Sequence, residues 1–172
     1  MASVALICTA NRCRSVMAHA IFVAEARRRN LPVDVYSAGV FDFRGSPPIG
    51  DTTSTCTSHN TPAPEEIATF VGDLPLASIT RFLVMEHMHA RELIETHGVY
   101  EDRVSLLGEF DPKDRGLEIA DPFSMGLPVY ERCYNQLHDC IVNYLETTFA
   151  ADAAKRDQSG DTLFGVPPLG GG

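Results

Sequence analysis

No stretch of the chain holds the roughly 18 consecutive apolar residues that a membrane-spanning helix needs. Positive charge is scarce as well. Fourteen Lys and Arg stand against 23 Asp and Glu, a formal net charge of −9, which argues against a general surface for nucleic acid or anionic membrane. The one basic run, Arg27-Arg28-Arg29, falls where a first helix should end, and the helix dipole favours cations there without any ligand. Cys8, Cys13, Cys56, Cys133 and Cys140 are odd in number, lack framework spacing and contain no Cys-x-x-Cys. The histidines, His19, His59, His87, His89, His97 and His138, are scattered. Neither set forms a metal-ligand pattern, so no metal and no cofactor is expected. Unpaired cysteines of this kind suit a reducing, cytoplasmic setting. The N-terminal apolar run is short and has no basic leader, which reads against a signal peptide. No internal repeat is evident.

What is present suits one globular domain with a sizeable core: 172 residues, 44% hydrophobic and 22% charged. The decisive stretch is Cys8-Thr9-Ala10-Asn11-Arg12-Cys13-Arg14-Ser15. It follows the apolar run Val4-Ala5-Leu6-Ile7 and precedes Met17, Ala20, Ile21 and Ala24, which recur at helical spacing. A short strand would deliver Cys8 to a tight loop that opens a helix. Backbone N–H groups wrapped toward one point at a helix N-terminus form a nest for a phosphate-sized anion. Arg14 can return its planar fork to two oxygens of that anion. A thiol beside a helix N-terminus and a guanidinium ionises more readily than a free one, which makes Cys8 a candidate nucleophile. The bland alternative is a core cysteine at a strand end.

Strands are expected over residues 4–8, 33–37, 80–85 and 104–107, and helices over 15–29, 64–71, 87–96 and 128–149. The stretch from 38 to 61 is rich in Gly, Pro, Ser and Thr and reads mostly as loop. Its Thr52-Thr53-Ser54-Thr55 run is a poor helix former. Alternating strands and helices give an α/β three-layer sandwich with a four-stranded parallel sheet. With right-handed crossovers and strand order 2-1-3-4, the loop after strand one opens at the topological switch point, where a ligand is expected. The domain spans 1–150, and 151–172 reads as a disordered tail.

The loop sequence followed by Met17-Ala18, with Ser37-Ala38-Gly39, Leu106-Leu107-Gly108 and Asp121-Pro122-Phe123, resembles the low-molecular-weight protein tyrosine phosphatases. That family also includes protein arginine phosphatases and thioredoxin-linked arsenate reductases. The resemblance covers about residues 3 to 150. It implies a phosphatase acting on phosphotyrosine in proteins through a cysteinyl-phosphate, with inorganic phosphate as product. Cys8, Arg14 and Asp121 would be catalytic, and Cys8, Thr9, Ala10, Asn11, Arg12, Cys13, Arg14 and Ser15 would form the phosphate-binding loop. Asp121 would be general acid and then base. Asp111, also before a proline, would carry no chemistry. A loop-bracing network would join Asn11, Ser15, Ser37 and His59. Arg12 and Phe123 would line the substrate pocket. Cys13 is either a core thiol or, as the resemblance implies, a reversible disulfide partner that protects Cys8. Cys133 and Cys140 read as core.

Ala10 replaces a usual glycine and Val16 a usual proline. Arg12 stands where tyrosine-specific members carry an apolar residue and arginine-specific members a threonine. The segment between Gly39 and His59 is shorter than usual, which leaves the family's second helix, and His59 with it, open. Three alternatives remain beside the first reading. An arginine phosphatase would use the same site. An arsenate reductase would need a cysteine relay, and none lies between Cys56 and Cys133. A non-catalytic anion-binding module would have no use for Asp121.

Overall fold

The computed structural model describes residues 1–64 and 67–159. Among the described residues four strands and four α-helices alternate: β1 (Ala2–Cys8), α1 (Arg14–Arg28), β2 (Val33–Gly39), α2 (Gly50–Ser58), β3 (Arg81–Val84), α3 (His87–Glu95), β4 (Val104–Leu106) and α4 (Leu127–Ser159). The strands form one sheet in the order β2-β1-β3-β4, and every pairing is parallel. This is the expected α/β sandwich.

β1 is the axis of the sheet, buried on both faces as a central parallel strand must be. Its side chains divide by alternation. Val4, Leu6 and Cys8 join Met17, Ile21, Phe22, Tyr130, Leu137 and Ile141 in a core beneath α1 and α4. Ala5 and Ile7 join Ile79, Phe82, Val84 and Leu93 on the α3 side. The register sets Cys8 opposite Gly39 on β2, and Ile7 opposite Val84 on β3. The C-terminal ends of these strands therefore surround the loop after β1.

Two expectations for the connections are overturned. The Thr-rich stretch forms α2, because tertiary contacts outweigh its weak propensity. Thr52, Thr55 and Cys56 are buried, the Thr52 hydroxyl donates to the Arg12 carbonyl (2.9 Å) and the Thr55 hydroxyl to the Asp51 carbonyl (2.7 Å). Asp51 in the first turn complements the helix dipole. The helix expected over 64–71 is absent from its described residues. Residues 67–69 run without helical assignment, Phe70 bridges to Gly39, and only Val71–Asp73 closes a 3-10 turn. The backbone bonds there go elsewhere. Ala68 N–H donates to the Ser46 carbonyl, and Gly39 N–H donates to the Thr69 carbonyl.

At the other end, α4 continues to Ser159, past the boundary expected at residue 150. The rest of the expected tail, 160–172, lies outside the described residues. Among the described residues no helix is long and apolar enough to cross a membrane.

Candidate active site

Residues 8–15 leave β1, curl once and enter α1. Asn11 sits at the apex with φ +55°, in the left-handed region that asparagine tolerates better than most side chains. Surrounding segments hold the curl. The Cys8 and Thr9 carbonyls accept from Val40 and Phe41 N–H, each at 3.0 Å, and the Arg12 carbonyl accepts from Ile49 N–H at 3.1 Å. Gly39 lies so close that a Cβ there would stand 2.6 Å from the Ala10 carbonyl carbon.

Asn11 is buried, and both ends of its amide are hydrogen-bonded. Its amide nitrogen donates to Ser15 Oγ (2.7 Å) and Ser37 Oγ (2.9 Å), and its Oδ1 accepts from Thr69 N–H (2.8 Å). Since Ser15 Oγ accepts from Asn11, its own proton is available to Cys8 Sγ, 2.9 Å away. Asn11 N–H also points at Sγ, at 3.3 Å. Two donors thus converge on one buried sulfur.

His59 does not belong to this network. Its Nε2 lies 2.6 Å from Glu131 Oε1, and its ring stacks on Tyr134 with centroids 3.9 Å apart. The imidazole beside Ser37 is that of His19, with Nδ1 3.3 Å from Ser37 Oγ. With α2 formed, His59 becomes its C-cap and faces α4, whereas α1 carries His19 under β2.

The Arg14 side chain is 2% exposed, and acceptors fix its position. Nη1 donates to Glu86 Oε2 (2.6 Å) and to the Ile119 carbonyl (2.7 Å). Nη2 donates to Thr9 Oγ1 (3.1 Å) and stands 3.8 Å from Asp121 Oδ2. Burial works against the charge, but Cys8, Glu86 and Asp121 outweigh it and raise the Arg14 pKa. Among the described residues Nε has no partner, so the edge formed by Nε and Nη2 remains available for an anion.

These residues open into a pocket lined by Cys8, Thr9, Arg12, Arg14, Asp121 and Phe123, with Phe43 and Ile49 as further walls. Asp121 is half exposed (49%), and its Oδ1 accepts from Phe123 N–H at 3.1 Å. Arg12 is held on the wall by a 2.8 Å bond from Nε to the Pro47 carbonyl. Asp111 stands apart, where its Oδ1 accepts from Lys113 N–H (2.9 Å) and its Oδ2 from Gln136 (3.3 Å).

Cys13 is buried with Sγ 3.2 Å from the Tyr130 hydroxyl, and both Cys13 and Cys8 are free thiols. Burial pushes the Cys13 thiol up. It also pushes Cys56 up to about 11, and Cys133 and Cys140 up to about 12. Among the described residues no group of three or more His, Cys, Asp and Glu side chains is placed to hold a metal ion.

Glu86, His89, Ile119 and His19 escaped the sequence reading, as did the pocket walls Phe43 and Ile49. One signal was available. Glu86 and His89 form a capping box at the start of α3, each side chain bonding the other's backbone N–H. That spacing directly after a buried strand marks a helix start pointing toward the loop after β1.

Comparison with known proteins agrees with this geometry. The family model for low molecular weight phosphotyrosine protein phosphatase matches residues 3–156. The chain is 30% identical over 138 residues to the protein-arginine-phosphatase of Bacillus subtilis, covering 78% of this chain and 89% of that one. It is 34% identical over 150 residues to low molecular weight protein-tyrosine phosphatase A of Mycobacterium tuberculosis, covering 80% and 90%. Among solved structures, a mutant of the YwlE arginine phosphatase with a phosphorylated active-site serine superposes with a TM-score of 0.75 at 26% identity, covering 91% of this chain and 98% of that one. The chain belongs to the low-molecular-weight phosphotyrosine protein phosphatase family, and it is a phosphatase.

Proposed function

We propose that this phosphatase hydrolyses phosphotyrosine in proteins through a cysteinyl-phosphate on Cys8. The observation that carries the reading is the convergence of three groups on one pocket. Cys8 Sγ lies at the origin of the loop, Arg14 offers a free guanidinium edge, and the Asp121 carboxylate stands 3.8 Å from that guanidinium. In the first step the sulfur attacks phosphorus, the phosphorus–oxygen bond to the substrate breaks, and Asp121 gives its proton to the departing oxygen. In the second step the Asp121 carboxylate takes a proton from water, the water oxygen attacks phosphorus, and the phosphorus–sulfur bond breaks. Ser15 hydrogen-bonds the departing sulfur, and inorganic phosphate leaves. Arg14 and the loop N–H groups stabilise the equatorial oxygens throughout.

The pocket walls favour an aryl phosphate. Phe43, Ile49 and Phe123 offer apolar faces to a ring. Arg12, tethered to Pro47, places a permanent cation beside the entrance and disfavours the like-charged guanidinium of phosphoarginine. The arginine phosphatase reading rests on the kinship with the Bacillus protein of that name. Rates on matched phosphotyrosyl and phosphoarginyl peptides separate the two. The aryl substrate should win, and Arg12→Thr should narrow the gap; a preference for phosphoarginine would reverse the assignment. Cys8→Ser should abolish turnover of either, and residual turnover would rule out the cysteine mechanism. Reduced thiols in a cytoplasmic setting complete this reading.

A further inference from the structure

Thr9 is the first residue after the candidate nucleophile, and hydrogen bonds dictate what its hydroxyl can do. His89 is fully buried on α3, and its Nδ1 is 3.0 Å from Glu86 N–H, which can only donate. Nδ1 is therefore an acceptor without a proton. A neutral imidazole then carries its proton on Nε2. Nε2 lies 2.9 Å from Thr9 Oγ1 and 3.8 Å from Glu86 Oε2, so its proton goes to Thr9. Arg14 Nη2, which also can only donate, reaches the same oxygen at 3.1 Å. Two donors occupy both lone pairs of Oγ1.

The Thr9 O–H proton consequently has one remaining direction. No acceptor for it occurs among the described residues, and Thr9 lines the pocket above Cys8. We infer that Thr9 donates its hydroxyl hydrogen bond to an oxygen of the bound phosphoryl group, and that His89 is the positioning residue that aims it. The inference rests on the phosphatase reading for its substrate but not for its binding geometry. A hydroxyl free to rotate would share its proton among several acceptors. Here the imidazole and the guanidinium fix it before the anion arrives, so binding requires no reorganisation. Burial, reinforced by the Arg14 charge, pulls His89 down to about 3, and the ring keeps this tautomer throughout the neutral range.

The test combines two measurements on the full chain. Nitrogen-15 spectra of the His89 ring at neutral pH should show Nε2 protonated and Nδ1 bare. The opposite tautomer would overturn the inference, because Thr9 would then donate to the ring. Inorganic phosphate is the second probe, with its affinity read by calorimetry so that turnover is not required. Thr9→Val keeps the side-chain shape and should weaken phosphate roughly tenfold or more, as for a lost hydrogen bond to a charged group, and should lower kcat/KM for an aryl phosphate in proportion. Thr9→Ser should restore both. Phosphate affinity unchanged in Thr9→Val, or lost equally in Thr9→Ser, would contradict the donor role. If phosphate behaves as expected while Cys8→Ser retains full turnover, the hydrolytic mechanism falls and the hydroxyl assignment stands.

Discussion

Asp121 and Asp111 both precede a proline in the loop before α4, and their surroundings separate them. Asp111 is tied to two backbone N–H groups and Gln136, whereas Asp121 is half exposed at the pocket beside Arg14. General acid catalysis matters most when the leaving group is poor. Asp121→Asn should therefore slow release of an alkyl or unactivated aryl phosphate by about a hundredfold or more, and a nitrophenyl phosphate far less. Asp111→Asn, the control, should leave that ratio unchanged. Steady-state rates on a leaving-group series check this. The pair also illustrates what a sequence can reveal at this scale. Cys8, Asn11, Arg14 and Ser15 were legible because their chemistry is local, contained within one curl of main chain. Glu86, His89 and Ile119 bond that curl from about 70 to 105 residues away, and only the parallel sheet brings them there. His59 was misplaced and His19 overlooked for the same reason. The bracing network is closed by whichever imidazole the packing of α1 and β2 presents.

At the scale of elements, β2 does more than flank the sheet. Its final residue, Gly39, faces the loop after β1 with no room for a side chain, and the backbone beyond it bonds the Cys8 and Thr9 carbonyls. Gly39→Ala should displace the loop rather than unfold the domain. The expected outcome is a fall in kcat/KM of at least tenfold with a loss of stability of about 1–3 kcal/mol, the usual penalty for overpacking. Denaturant titration and kinetics on the same sample check it. α2 clamps the loop from the opposite side through Thr52 and Ile49. It was not legible because threonine propensity is unfavourable in isolation, and the compensating bonds to Arg12 and the contacts with α1 and α4 are tertiary. The reverse error, a helix expected over 64–71, has the same origin. A good local pattern there lost its backbone groups to Ser46, Asn11 and Gly39.

For the whole molecule, the buried titratable groups set the response to acid. His89 binds protons with its ordinary value near 6.5 when unfolded but only at about 3 when folded. Between these values the unfolded chain holds more protons, so stability rises with pH across that interval. The contribution of His89 is complete above pH 6.5 and is lost progressively as pH falls toward 3. Glu25 acts in the same sense. Burial opposes its charge, but Arg29, Arg28 and His138 hold its carboxyl below the ordinary 4.5, so its contribution is complete above that value and is lost as pH falls beneath it. Thermal melts from pH 7 to pH 4 should show a falling midpoint, with a shallower fall in His89→Gln. Equal slopes would show that the burial of His89 is not the cause.

In the proposed mechanism Cys8 itself carries the phosphoryl group between two displacements. The most direct measurement mixes Asp121→Asn with nitrophenyl phosphate, whose good leaving group departs without an acid, quenches within milliseconds and maps the phosphorylated peptide by mass spectrometry. Without its base the second displacement slows, so phosphate should accumulate on the peptide containing Cys8 and on no other. Turnover without a phosphorylated Cys8 peptide, or label on a residue other than Cys8, would contradict the account.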